Sequence, residues 1–411
     1  MSAEIKRDIE KSIQFLLKSF PAVALLGARQ VGKSTLLKNL PNQVKFYDLE
    51  RASDYEKISD SSQLELILQD RGKELIAFDE AQLCPSLFSA LRVSIDESRD
   101  QNGQFILTGS SSPHLIKNIS ESLAGRIAIL EVPQLTWNEA LEKKQSKFYE
   151  YLSSPEKFKT LKNLYSRQDI EELCFTGLYP EPFLKRKKEV EYRLWLENYI
   201  KTYIERDIRS LFPQLQLDSY KRFIKMLSVS SGELFKASNF AKSLDVANST
   251  IKKYIEIAEG TYLWRNLNCY SKNTKKRLVK TPTGYIRDTS IVNYLLNVNS
   301  KEDLLSHPAF GQIWESFVIE QIIKNIQNQF IRSDFYFYRT HHQAEIDLIL
   351  EGEFGLVPIE IKSGAFTKKF QLIALKSFIE EQDCKFGIVI NNASEICRLD
   401  EKIYQIPVNY I

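Results

Sequence analysis

Residues Gly27-Ala28-Arg29-Gln30-Val31-Gly32-Lys33-Ser34 follow the spacing G-x-x-x-x-G-K-S. That combination suits the binding of a phosphate chain. Glycines let the backbone curl so that its N–H groups point at phosphate oxygens. A lysine at this place reaches the outer phosphates, and the Ser34 hydroxyl is a ligand for Mg²⁺. Thr35 continues into a helix whose positive end faces the anion. At average residue frequencies a chain of this length matches the pattern by chance on the order of once in a hundred. The segment from Gly27 to Thr35 is therefore assigned to a nucleotide and its Mg²⁺.

Residues 75–80 read Leu-Ile-Ala-Phe-Asp-Glu, an apolar run ending in two acids, and Asp79 lies 46 residues after Lys33. Asp79 suits Mg²⁺ held through water, and Glu80 suits polarising an attacking water. Residues 104–110 form another apolar run, QFILTGS, with Thr108 near its end. Thr108 can sense the outermost phosphate; a helix cap by Ser110–Ser112 is an equally good use of this stretch. Arg29 and Arg126 carry the planar fork that matches phosphate oxygens. Arg29 reads better as a surface residue, and for Arg126 both uses stay open. Arg206 and Asp207, on a helical stretch running to Leu211, are candidates for reaching the nucleotide, against the alternative of a surface ion pair.

A second constellation lies near the other end. Residues 345–350 read Glu-Ile-Asp-Leu-Ile-Leu, and residues 356–362 read LVPIEIK, with a Glu-Gly-Glu-Phe-Gly turn between them. Strand side chains alternate faces, so Glu345 and Asp347 share a face of their strand, and Glu360 and Lys362 likewise share a face of theirs. Pairing the strands brings Asp347, Glu360 and Lys362 together, and Glu315 at the start of a helix can lean over them. Asp347 and Glu360 make a hard oxygen site for Mg²⁺, with Lys362 to position water and Glu315 to assist. This is the D…E-x-K constellation of restriction-endonuclease-like nucleases. His341 and His342 read as loop residues beside that site.

These residues need elements to hold them. Strands at 22–27, 44–49, 74–79, 104–108 and 126–131 alternate with helices, which predicts a parallel sheet covered on both faces. Ligands of such sheets bind beyond the carboxyl ends of the strands, where both N-terminal motifs sit. Residues 233–264 have helix-turn-helix rhythm, with Asp245-Val246-Ala247 as the turn. Ser249, Thr250, Lys252 and Lys253 are left exposed on the second helix, the one that enters the major groove in such motifs. Beyond it Lys272, Lys275, Lys276, Arg277 and Lys280 give five positive charges and no acid across nine residues, a local patch suited to DNA phosphates. The organisation predicted is a P-loop domain over 1–150, a helical lid or linker over 151–215, a winged helix over 216–300 and a nuclease-like domain over 301–411.

With 56 Lys+Arg against 53 Asp+Glu the chain is neither polybasic nor acidic-tailed. Its five cysteines form no C-x-x-C pair, which argues against a disulfide framework and fits a reducing cytoplasm. No apolar run reaches the roughly 20 residues that span a bilayer, so no membrane partner is expected. Double-stranded DNA is the expected partner, with a homo-oligomer or a partner protein as further options.

GARQVGKSTL, IAFDEAQ, LTGSSS and SLAGR resemble an AAA-like P-loop ATPase family of bacteria and archaea, over about residues 20–150. The resemblance implies ATP as the nucleotide. YIERDI, KRLVKTP, FGQIWESFVIEQI, FYFYR, AEIDLIL and PIEIKS, within residues 200–365, resemble the domain of unknown function typically fused to that ATPase, DUF4143. The fold implied is a multi-domain α/β protein: an AAA+-like parallel sheet, a winged helix and a restriction-endonuclease-like α/β domain. The leading functional expectation is an ATP-binding and hydrolysing protein that binds DNA and cleaves it. The alternative is a nucleotide-dependent switch whose C-terminal domain only binds DNA or protein.

Overall fold

The structure is a computed structural model that describes residues 5–40, 44–109, 118–119, 121–209, 212–273, 281–340 and 344–411, with backbone only at 205–207 and 369. The chain forms two compact units, Met1–Leu135 with Gly260–Tyr262, and Thr136–Glu259 with Leu263–Ile411.

The first unit holds a sheet of five parallel strands, β1 (Ala22–Leu26), β2 (Val44–Asp48), β3 (Leu75–Asp79), β4 (Phe105–Gly109) and β5 (Ile127–Glu131), in the order β2-β3-β4-β1-β5. β1, β3 and β4 are buried along their whole length, which is why they read as unbroken apolar runs. β4 lies between the two motif-bearing strands, pairing Leu25 of β1 with Thr108 and Phe78 of β3 with Leu107. All five strands fall where the alternation places them. The helix Ala52–Ser59 gives no such signal, because Ile58 is its one buried residue and no apolar stripe develops.

The second unit holds eight strands, β6 (Trp264–Cys269), β7 (Thr283–Ile286), β8 (Ser333–Arg339), β9 (Glu345–Gly352), β10 (Gly355–Ile361), β11 (Gly387–Asn391), β12 (Cys397–Asp400) and β13 (Ile403–Pro407), in the order β12-β13-β11-β10-β9-β8-β6-β7. Helices Leu217–Val229, Ala237–Leu244 and Asn248–Gly260 precede the β6–β7 hairpin. The turn at Asp245 is left-handed, φ 54°, a conformation Asp tolerates better than most residues. Phe240, Leu244, Ile251, Ile255 and Ile257 are buried, as their spacing requires.

The boundary between the compact units falls near 135, and apart from Gly260–Tyr262 the residues from 136 onward share one unit. The physical reason is β6, which pairs with β7 on one side and, through Asn268 and Cys269, with β8 on the other. A hairpin expected to end one segment thus continues the sheet of the next. The helix expected to run to Leu211 also changes, becoming a π-helix over Tyr203–Ile208; Leu211 and the side chains of Arg206 and Asp207 lie outside the described residues. Among the described residues no helix is long and apolar enough to cross a membrane. The cysteines are free, and four of them are buried.

Candidate active sites

The phosphate loop joins β1 to the helix Lys33–Lys38. Two backbone positions shape it: Gln30 at φ 62° and Gly32 at φ 92°. Gly27 answers a different constraint, since a Cβ there would stand 2.3 Å from the Val132 carbonyl oxygen. Lys33 is buried and its Nζ donates to the carbonyls of Gly27 and Ala28 at 3.0 and 2.9 Å. Burial pulls its pKa below the ordinary lysine value, with Arg29 adding to the drop and Glu80 and Asp79 opposing it. Thr35 is exposed on the next turn.

The residues read as metal and water ligands meet at the strand ends. Ser34 Oγ donates to Asp79 Oδ2 at 2.5 Å. Thr108 Oγ1 donates to the other Asp79 oxygen and accepts from the Glu80 N–H at 3.1 Å. Glu80 takes a left-handed backbone, φ 53°, which turns the chain directly after Asp79. Gln82 Nε2 donates to Glu80 Oε2 at 2.5 Å. Ser34 and Asp79 together offer the oxygen donors that Mg²⁺ prefers, so this corner fits the ion that accompanies a nucleotide.

Two arginines are placed by the structure, and one was not foreseen. Arg29 Nη2 pairs with Glu50 at 3.2 Å, in keeping with a surface role. Arg126 is held by a carboxylate. Its Nε and Nη2 both bond Asp96 at 2.8 Å, and it precedes β5 at the end of the sheet opposite the loop. A five-residue strand is roughly 16 Å long, so Arg126 cannot reach phosphates held by its own loop. Arg7 carries no motif, yet it is buried and donates to the carbonyls of Val31 and Pro133 at 2.9 and 2.8 Å. It ties the phosphate loop to the chain that follows β5.

The second site is built on the β9–β10 hairpin. Glu353 and Phe354 form the turn and Gly355 closes it at φ 91°, and the register sets Leu356 opposite Glu351 and Ile359 opposite Leu348. Extending that register puts Glu360 opposite Asp347 on one face. There the Ile361 N–H donates to Asp347 Oδ2 at 2.7 Å, so the carboxylate takes the place of a ladder partner. Lys362 Nζ stands 2.7 Å from Glu360 and 3.8 Å from Asp347. Arg339 on β8 pairs with Glu345 at 3.3 Å.

The electrostatics of this face are those of crowded acids. Burial, then Asp347, pushes the Glu315 carboxyl up to about 9, against the pull of Lys362. Burial and Asp347 push Glu360 up to about 8. Burial likewise raises Asp347 and Glu345. Lys362 is raised, because Asp347 and Glu360 outweigh its burial. Among the described residues Glu360 Oε2, which is buried, has no hydrogen-bond partner. The five residues line a cleft of about 590 Å³ that also takes in Lys236, Asn239, Gln312 and Arg339. Among the described residues no group of three or more His, Cys, Asp or Glu is gathered tightly enough to hold a metal. The two carboxylates of Asp347 and Glu360 are the hard oxygen donors a divalent cation takes.

Asp347, Glu360, Lys362 and Glu315 thus converge as their spacing implies. Sequence reading passed over Lys236, Asn239, Gln312 and Arg339, whose place on the cleft depends on packing far apart in the chain. On the second helix of the helix-turn-helix Ser249, Lys252 and Lys253 are exposed and Thr250 is half-buried. Lys272 Nζ donates to the Glu381 carbonyl at 3.2 Å. Lys275, Lys276, Arg277, Lys280, His341 and His342 lie outside the described residues.

A five-stranded parallel sheet with this loop and this acid pair defines a P-loop ATPase unit. Residues 19–141 match the AAA domain, residues 167–302 a domain of unknown function (DUF8612) and residues 310–411 a domain of unknown function (DUF4143). The resemblance expected over 200–365 therefore divides between two family models. The chain belongs to the family of proteins that join this AAA domain to DUF4143. It is 30% identical over 348 residues to the uncharacterized protein Rv2008c of Mycobacterium tuberculosis, covering 84% of this chain and 71% of that one. It is 24% identical over 363 residues to the uncharacterized protein MJ1544 of Methanocaldococcus jannaschii, covering 85% and 75%. The Walker-type ATPase PABY2304 of Pyrococcus abyssi aligns with a TM-score of 0.47 at 15% identity, over 71% of this chain and 96% of that one. The AAA-type unit makes the protein a P-loop NTPase that binds and hydrolyses ATP.

Proposed function

We propose that the protein is a cytoplasmic, ATP-hydrolysing enzyme that binds double-stranded DNA and cleaves its phosphodiester bonds with Mg²⁺. In this reading residues 1–150 hydrolyse ATP, 151–215 form a lid, 216–300 act as a winged helix and 301–411 as a restriction-endonuclease-like domain. The observation that carries it is the convergence of Asp347, Glu360 and Lys362 on one face of the hairpin, with Glu315 on the same cleft.

At the nucleotide, Gly27 to Thr35 wrap the phosphates and Lys33 leaves the loop carbonyls for the outer phosphates. Ser34 and Asp79 hold the Mg²⁺, Glu80 orients the water and Thr108 fixes both acids. At the DNA site Asp347 and Glu360 would hold the second Mg²⁺, which when bound would supply charge neutralisation and a lowered water pKa. Lys362 Nζ orients the water. Glu315 keeps a proton on its carboxyl at neutral pH until the crowd of acids is neutralised. Ser249, Thr250, Lys252 and Lys253, with Lys272, Lys275, Lys276, Arg277 and Lys280, contact the duplex. The exposure of Ser249, Lys252 and Lys253, beside buried Ile251 and Tyr254, supports that helix face as the groove reader.

The test is incubation of supercoiled plasmid with the full chain, ATP and Mg²⁺ or Mn²⁺. Nicked or linear product is expected, and intact plasmid under both ions would sink the reading. The second reading, a nucleotide-dependent switch that binds without cutting, draws support from Lys362, whose ammonium already occupies the space between the two carboxylates, 2.7 Å from Glu360 and 3.8 Å from Asp347.

A further inference from the structure

β10 ends at Ile361, and the loop that follows Lys362 is firmly held. The Lys362 N–H donates to the Ile390 carbonyl at 2.8 Å and the Asn392 N–H to the Gly364 carbonyl at 3.0 Å. The Asn392 side chain donates to the Ser363 carbonyl at 2.7 Å, and the buried Asn391 side chain to Thr367 Oγ1 at 3.2 Å. From this anchored loop Phe366 projects with 91% of its surface exposed, followed by Phe370 at 65% and Ile373 at 61%. The core does not need them: Leu372, Leu375, Phe378 and Ile379 already fill the inner face of this segment. Large apolar side chains held out on a rigid loop mark a contact surface.

The charge around them selects the occupant. From Ile361 to Ile379 the chain carries four lysines and no acid; Lys362 and Lys376 are paired with Glu360 and Asp400, while Lys368 Nζ lies 5.9 Å from the Phe370 ring centre. Aromatic rings interleaved with cations are how proteins hold unpaired nucleic-acid bases: each base stacks on a ring while its phosphate meets a cation. Phe366 is four residues from Lys362, at most about 14 Å of chain, so a strand laid across the acidic cleft passes within a few nucleotides of it.

We propose that Phe366, supported by Phe370 and Lys368, is a stacking platform for unpaired bases of DNA next to the phosphodiester held at the Asp347–Glu360–Lys362 site, so that frayed, gapped or single-stranded DNA is preferred over continuous duplex. This rests on the reading of that cleft as a nucleic-acid site.

The experiment uses the full chain with Asp347→Ala, which removes cutting, and an oligonucleotide with a single-stranded overhang carrying 2-aminopurine. Affinity is read by anisotropy and stacking by fluorescence quenching. Adding Phe366→Ala is expected to weaken binding on the order of tenfold, within the range one stacked base contributes, and to remove the quenching. Phe366→Trp keeps both, and blunt duplex binding changes little. Equal affinity and quenching for Phe366→Ala overturn the proposal. So does a Phe366→Ala effect confined to sedimentation mass, which would make the patch a contact between copies of this chain. Plasmid cleavage by the chain with native Asp347, alongside Phe366-independent affinity, defeats the platform and leaves the nuclease reading intact. Phe366-dependent binding without any cleavage defeats the nuclease reading and leaves the platform intact.

Discussion

The two sites are made in opposite ways. The nucleotide site is written into one contiguous loop, and its neighbours Asp79, Glu80 and Thr108 arrive through adjacent parallel strands whose order leaves little freedom. Its lysine and its metal corner are satisfied by protein partners, Lys33 by two carbonyls and Asp79 by two hydroxyls. The C-terminal site is assembled from a hairpin and a helix, and its acids are not satisfied: Glu315 and Glu360 are pushed well above the ordinary carboxyl range, and among the described residues a buried Glu360 oxygen has no hydrogen-bond partner. A site shaped mainly by backbone is recognisable from spacing alone. A site shaped by mutual repulsion becomes visible once burial is known.

That contrast can be broken or sharpened experimentally. Lys33→Ala should cost ATP hydrolysis on the order of a hundredfold or more, as removal of a preorganised cation or donor does, with little change in thermal midpoint. A steady-state phosphate-release assay beside a melting curve checks both.

The acidic face predicts a pH dependence that the loop does not. A carboxyl whose folded pKa is raised adds stability that is complete below its unfolded value near 4.5 and is lost as pH rises through the folded value. With Glu360 at about 8 and Glu315 at about 9, the metal-free protein should lose thermal stability steadily between pH 6 and 9. Glu315→Gln should flatten that slope, and added Mn²⁺ should oppose it. An unchanged slope in Glu315→Gln would show that this acid is not in the crowd.

Smaller effects test the supports. Arg7→Ala should raise the KM for ATP several-fold while sparing kcat, because it frees the Val31 and Pro133 carbonyls without touching phosphate. A kcat loss instead would place Arg7 at the nucleotide. Arg126→Ala should leave ATP turnover within about twofold, as expected of a residue held by Asp96 at the far end of the sheet. A collapse in turnover would overturn that placement.

Much of this was legible in the chain because its signals are local. Period-two alternation puts Asp347 with Glu345 and Glu360 with Lys362, and apolar runs mark four of the five parallel strands, β2 (VKFYD) being interrupted by Lys45 and ending in Asp48. Arg7 was not legible: its partners are backbone carbonyls 24 and 126 residues away, and carbonyls leave no residue signature. The joining of β6 to β8 was hidden for the same reason, since two residues of parallel pairing carry no pattern. For Arg126 both uses stayed open in the chain, because an arginine after a glycine turn looks alike at either end of a sheet.

The central claim is that the chain carries two separate chemistries, and two rates measured on the same preparations test it most directly. ATP hydrolysis and Mg²⁺-dependent plasmid cleavage are followed for the unaltered chain and for Asp347→Ala. The account predicts that Asp347→Ala hydrolyses ATP at the unaltered rate and cuts no DNA. An Asp347→Ala protein that cuts as well as the unaltered chain would contradict it.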